Sequence, residues 1–198
     1  MNTRKLTARA RELLAEIRAT SQSKEQQELL DVIFDALLFI DSTGQLYAFE
    51  DYRKYLASDD PPHVVASFNT LEEADTWLTE HPNPPSSAYI LVADQYHQLV
   101  YIREKHHRHI FPHPVLEYYL GARMRDGLPP PAASFATRQE AEAWFQQEAA
   151  PPRQAVITIA GELHLAVYHP NINHRSIYPF SLAANVEESE EEGPNSAG

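Results

Sequence analysis

With 198 residues, 43% of them apolar, the chain is long enough to bury a real core, as one domain or as two small ones. It contains no cysteine, which excludes disulfides, thiol nucleophiles and Cys-ligated zinc or iron–sulfur sites, and fits a reducing compartment. The formal net charge is −12; five of those charges fall within 187–192 and −7 remains for the rest, a balance that disfavours phosphate backbones and favours a basic protein partner.

The opening segment MNTRKLTARARELLAEIR is basic and helix-prone, and Leu6, Leu13, Leu14 and Ile17 partly share one helical face. Glu12 and Glu16 argue against an organellar transit peptide, and the apolar core of a secretory signal is missing. No apolar stretch approaches the roughly 20 residues of a membrane span, so the expectation is a cytoplasmic chain without a membrane partner. After the polar break at Ser21–Ser23, EQQELLDVIFDALL resumes the helical period, and 1–35 reads as two packing helices. In ALLFIDSTGQLYAF an apolar run, the turn DSTG and a second run from Leu46 have the form of a hairpin, so 36–64 reads as a degenerate first module.

From Val65 the chain repeats itself. Slid by 67 residues without a gap, 65–112 matches 132–179 with 19 of 48 positions identical, so the two stretches are modules of common descent. T-L-E-E at Thr70 and T-R-Q-E at Thr137 have the capping-box form that starts a helix. Leu71, Ala74, Trp77 and Leu78, and in the copy Ala141, Trp144 and Phe145, then fall on one face as core. Phe68 and Phe135 end short strands before the caps. AYILVADQYHQLVYI and AVITIAGELHLAVYH each read as two strands about a short turn. Between the modules, 113–131 holds a connecting helix from Pro114 to Arg125 and a proline-rich linker. The second module ends at 182, and 183–198 reads as a disordered acidic tail. The expected fold class is α+β, with antiparallel β-hairpins, helices packed on one face and an internal tandem duplication.

SFNTLEEADTW resembles the strand-to-helix corner of the small hybrid-binding domain at the N-terminus of some ribonucleases H, in its Phe, its Thr cap and its helical Ala. The resemblance spans eleven residues per copy. Those domains use basic side chains and exposed aromatics on nucleic acid; here Glu72, Glu73 and Asp75 occupy the stretch, so nucleic acid is not an expected partner.

Chemistry-bearing residues are few in kind. HHRHIFPH places His106, His107, His109 and His113 close together, a candidate for Zn²⁺ or Ni²⁺, and in an extended chain His107 and His109 share a face. Both copies keep His97/His164, Tyr101/Tyr168, His107/His174 and Arg108/Arg175, a candidate binding surface. The chain has neither a phosphate-cradling glycine loop nor a G-x-S-x-G elbow, and no cofactor is expected. The reading is a non-enzymatic acidic binding protein, such as an immunity protein or inhibitor of a basic nuclease-type toxin. The alternative is a histidine-based or metal-dependent enzyme using the duplicated His/Tyr/Arg set.

Overall fold

The computed structural model describes residues 3–148 and 150–184. The chain divides into two compact units, Met1–Asp59 and Asp60–Gly198.

The first unit is helical: α1 Thr3–Thr20, α2 Lys24–Ser42 and α3 Leu46–Leu56. Ser23 caps α2 by accepting from the Gln26 amide, and Arg18–Asp31 and Arg11–Asp41 ion pairs join α1 to α2. The hairpin expected over 36–64 is absent, because Ala36–Ile40 continues the helix started at Lys24, and DSTG turns the chain from α2 into α3 with Gly44 at φ +74°. Five apolar residues in a row suit a buried strand or a helix; here the periodic run before them extends α2 to 19 residues. The module count is therefore two.

In the second unit the modules repeat element for element. The first runs β1 Val64–Phe68, α4 Leu71–Glu80, β2 Ser87–Val92, β3 Gln95–Ile102 and β4 His107–Pro112. After α5 Val115–Asp126, the second runs β5 Ala133–Phe135, α6 Arg138–Gln147, β6 Gln154–Ile159, β7 Glu162–His169 and β8 His174–Pro179. From α4/α6 onward every pair of elements is offset by 67 residues. The sheets have the orders β1-β2-β3-β4 and β5-β6-β7-β8. They are mixed rather than wholly antiparallel, since β1 pairs parallel with β2 and β5 with β6. The intervening helix forces this: it carries the chain back along the sheet, so the strands flanking it run the same way.

The caps form as the spacing predicts. Thr70 Oγ1 accepts from the Glu73 amide at 3.2 Å while Glu73 accepts from the Asn69 amide at 2.8 Å; Thr137 and Glu140 repeat this at 3.2 and 3.0 Å. Ala74 and Ala141 are fully buried, which lets each helix lie close on its sheet. Strand alternation sorts the side chains into layers. Ile90, Val92, Leu99 and Ile110 pack under α4, and Ile157, Ile159, Ala166 and Ile177 under α6. The opposite faces, through Val64, Leu91, Tyr96, Val156, Leu165, Val167 and Tyr178, share one interior with Leu116 and Leu120 of α5. That interior lies between the modules and fixes them as one body. A 3-10 turn, Phe180–Ala183, closes it, so Ala183 is buried rather than part of the tail; the acidic run at 187–192 lies outside the described residues.

Candidate functional site

The residues kept by both copies have matching internal partners. The rings of His97 and His164 are buried, each with Nδ1 at 3.1 Å from the carbonyl two residues earlier, Gln95 or Glu162. Arg108 lies over the Tyr101 ring and Arg175 over the Tyr168 ring, both at 5.0 Å. Arg108 Nε donates to the Leu78 carbonyl at the end of α4, and Arg175 donates to the Glu148 carbonyl after α6. A guanidinium there satisfies late helix carbonyls and complements the negative end of the helix. The pair at the head of the last strand diverges: His174 bonds Asp94, while His107 stacks on His109 at 6.0 Å.

The four-histidine cluster is not brought together. His107 and His109 share a strand face as expected, but His106 sits in a left-handed turn at φ +48° and His113 lies past the strand end, against Tyr89. Among the described residues no group of three or more metal-ligating side chains is placed to hold an ion.

A cleft of about 460 Å³ opens instead where the modules meet. The β2–β3 turn (Ala93–Gln95) and the β4–α5 junction (Pro112–Glu117) form one side; Arg138, Ile177, Tyr178 and Leu182 form the other. Two left-handed residues build the turn, Ala93 at φ +48° and Asp94 at φ +63°, the pattern of a tight hairpin whose twist matches its strands. The copy uses Ala160 and Gly161 there. An aspartate in that conformation costs on the order of 1 kcal/mol relative to glycine. It gains contacts across the module boundary: Oδ1 lies 2.7 Å from His174 Nε2 and accepts from Ser176 Oγ at 2.9 Å.

These bonds shape the electrostatics. The His174 bond holds the Asp94 carboxyl below its usual range, assisted by Ser176 and by the charge of Arg138, against the opposing effect of burial. Asp94 is therefore ionised at neutral pH. Among the described residues its Oδ2 takes no hydrogen bond, and Glu117 makes neither hydrogen bond nor ion pair. Arg138 is committed to Glu142 at 2.7 Å and to the Ile177 carbonyl at 3.1 Å. Tyr178 lines the same cleft, 5% exposed, and its hydroxyl has Ser176 as a polar neighbour but no partner at hydrogen-bond distance. Burial pushes that hydroxyl well above the ordinary tyrosine value; Ser176 pulls the other way, and the charges of Asp94 and Glu117 add to the rise. His113 Nδ1 is a second buried, unpartnered atom in the wall.

Behind the cleft, Tyr96 donates to the Pro62 carbonyl at 3.3 Å and meets His169 Nε2 at 3.2 Å. Burial lowers His169 to about 4, with the charges of His174 and His63 contributing, so the ring is neutral. Its pairing with Tyr96 joins β3 of one module to β7 of the other.

Every polar liner that matters here differs between the copies. Asp94 matches Gly161, Tyr96 matches Leu163, Arg138 matches Leu71 and Tyr178 matches Phe111, while His113 and Glu117 belong to the connecting segment, which is not repeated. The shared residues hold each module; the diverged ones meet at the boundary. Charge gained in one copy is the sequence signal that leads to Asp94 and Arg138, whereas residues kept in both copies have matching partners inside each module. Against known proteins, the chain matches no family model, and no curated protein and no solved structure is similar to it. Among the described residues no helix is long and apolar enough to cross a membrane.

Proposed function

We propose that this chain is a non-enzymatic binding protein for a basic protein, and that a lysine or arginine side chain of the partner enters the cleft between the two modules. One observation carries the reading: Asp94 Oδ2 and the Glu117 carboxylate, without partners among the described residues, line one cleft with the buried hydroxyl of Tyr178, which has no partner at hydrogen-bond distance. A cationic donor group suits that set, since it brings several N–H groups to carboxylate acceptors at the cleft mouth. The apolar lining from Leu116, Ile177 and Leu182 suits the methylene stem of such a side chain. The surrounding charge of −7 outside the tail run steers a basic surface toward the site and speeds association more than it tightens the complex. An inhibitor of a basic enzyme, such as an immunity protein against a nuclease-type toxin, is the class of protein that uses these features together.

Immobilised full-length chain at low salt, exposed to extract from its own source cells, tests the proposal. It should retain a basic protein that is released as salt rises and that an Asp94→Asn, Glu117→Gln double variant of unchanged melting temperature does not retain. Equal retention by the double variant would refute the cleft as the binding site.

A further inference from the structure

The two modules are joined through unlike surfaces. The first contributes its β2–β3 turn and Tyr96; the second contributes the end of β7 and one face of β8. Tyr96 meets His169 at 3.2 Å and the Tyr178 ring at 6.2 Å, while Asp94 meets His174 and Ser176. A joint between unlike surfaces leaves two others unused: the matching turn on the second module and the matching strand face on the first. Both are open. Leu163 stands where Tyr96 stands and is 40% exposed against 4%; Ile102 stands where His169 stands and is 36% exposed against 4%. His107 and His109 are exposed where His174 is bonded and Ser176 buried, and with Phe111, the counterpart of Tyr178, they form a row of stacked rings at 6.0 and 5.5 Å. The chemistry of the two open surfaces differs from the joint in one direction. Tyr96, His169 and Tyr178 all carry polar atoms, whereas Leu163, Ile102 and Phe111 carry none. In stacked repeats an end that stays in water has a polar outer face, so apolar residues at both ends mark surfaces that are covered.

We propose that the cover is a second copy of this chain, docked head to tail: the β6–β7 turn of one copy packs on the β3–β4 face of the next and repeats between chains the joint that the modules make within one. Under the 67-residue offset, the Tyr96–His169 contact becomes Leu163 on Ile102 of the next copy, and the Tyr96–Tyr178 contact becomes Leu163 on its Phe111. Both are apolar pairs that bury no unpaired polar group. Gly161 takes the place of Asp94 at the tip of the turn. A Cβ there would meet nothing within 4 Å, so the tip is bare backbone that can lie close on the stacked rings of His107 and His109. Leu163 and Gly161 also border an open groove of about 650 Å³ with half-exposed Met124, so the second turn is reachable from outside. Because the joined surfaces differ, each copy in a pair keeps one free end, and association continues past the dimer.

Sedimentation equilibrium of the full chain over the micromolar range should give an average mass above the 22.5 kDa of one chain that climbs with concentration. Leu163→Glu removes one surface and Ile102→Glu the other, so each variant alone should sediment as a single chain. Mixed in equal amounts, the two should form a dimer of twice the chain mass and nothing larger, because each supplies the surface that the other lacks. A variant that had failed to fold could not complement its partner, so the mixture separates lost docking from lost structure. A single chain mass for the native protein at every concentration, association of either variant alone, or a mixture that stays monomeric overturns the proposal; cover of these surfaces by another protein or by another segment of the same chain would give the first of these results.

Discussion

Replacing His169 by Gln isolates one titration from the rest of the protein's acid response. In the folded chain burial holds this ring neutral down to about 4, whereas in the unfolded chain it takes a proton near 6.5. The folded value is the lower one, so the unfolded state binds the extra proton between the two values. The stabilising contribution of neutral His169 is therefore complete above pH 6.5 and is lost as pH falls toward 4, where the native ring also protonates. The gap corresponds to on the order of 3 kcal/mol. Glutamine places a neutral amide nitrogen near the position of Nε2 and can keep the bond to Tyr96, now 3.2 Å long, without titrating. Urea unfolding of both proteins at steps from pH 7.5 to 4.5 reads the effect. The variant should be the less stable at neutral pH, by about 1 kcal/mol for altered packing, and its deficit should vanish or reverse by pH 4.5. Two parallel stability curves would refute the assignment of this histidine to a neutral inter-module contact.

Three further outcomes follow from the same geometry. Asp94→Ala should cost about 1–2 kcal/mol through the lost His174 and Ser176 bonds, and Asp94→Gly about 1 kcal/mol less because glycine adopts the left-handed turn freely; denaturant midpoints separate the two. Tyr178→Phe removes a buried hydroxyl without a partner and recreates the ring found at Phe111, so thermal unfolding should show stability unchanged or raised by up to about 1 kcal/mol. Thr70→Ala and Thr137→Ala should each cost about 1 kcal/mol, equally and additively in the double variant, because the two caps have matching geometry in separate modules. Calorimetric unfolding checks that additivity.

The second unit was legible in sequence because its signals are local and doubled. Capping boxes at Thr70 and Thr137, alternation through Ile90–Val92 and Val156–Ile159, and proline pairs between helix and strand each act over a few residues, and each appears twice. The parallel pairing of β1 with β2 was not legible as such, although a strand, helix and strand in succession imply it once the first strand is counted in the sheet. The first unit misled because Ala36–Ile40 satisfies a strand pattern and a helix pattern equally, and the choice rested on an analogy with the later hairpins. Helical continuity from Leu29 decides it. The residues kept in both copies and the residues lining the cleft are different sets for a physical reason. Residues that both copies retain, such as His97, Tyr101 and Arg108, satisfy needs common to both: a turn carbonyl, a ring under a guanidinium, a helix end. Asp94, Arg138 and Tyr178 occur in one copy only and Glu117 in the connecting helix, because the boundary between modules exists once.

A triple substitution that strips the cleft of its polar groups tests its role most directly. Asp94→Gly and Tyr178→Phe install the residues found at Gly161 and Phe111 of the other copy, and Glu117→Ala removes the carboxylate that the connecting helix contributes. Titration calorimetry with the basic protein retained by the native chain should show binding abolished in the triple variant, with far-ultraviolet circular dichroism and melting temperature close to native. Native affinity in that variant would contradict the assignment of the cleft.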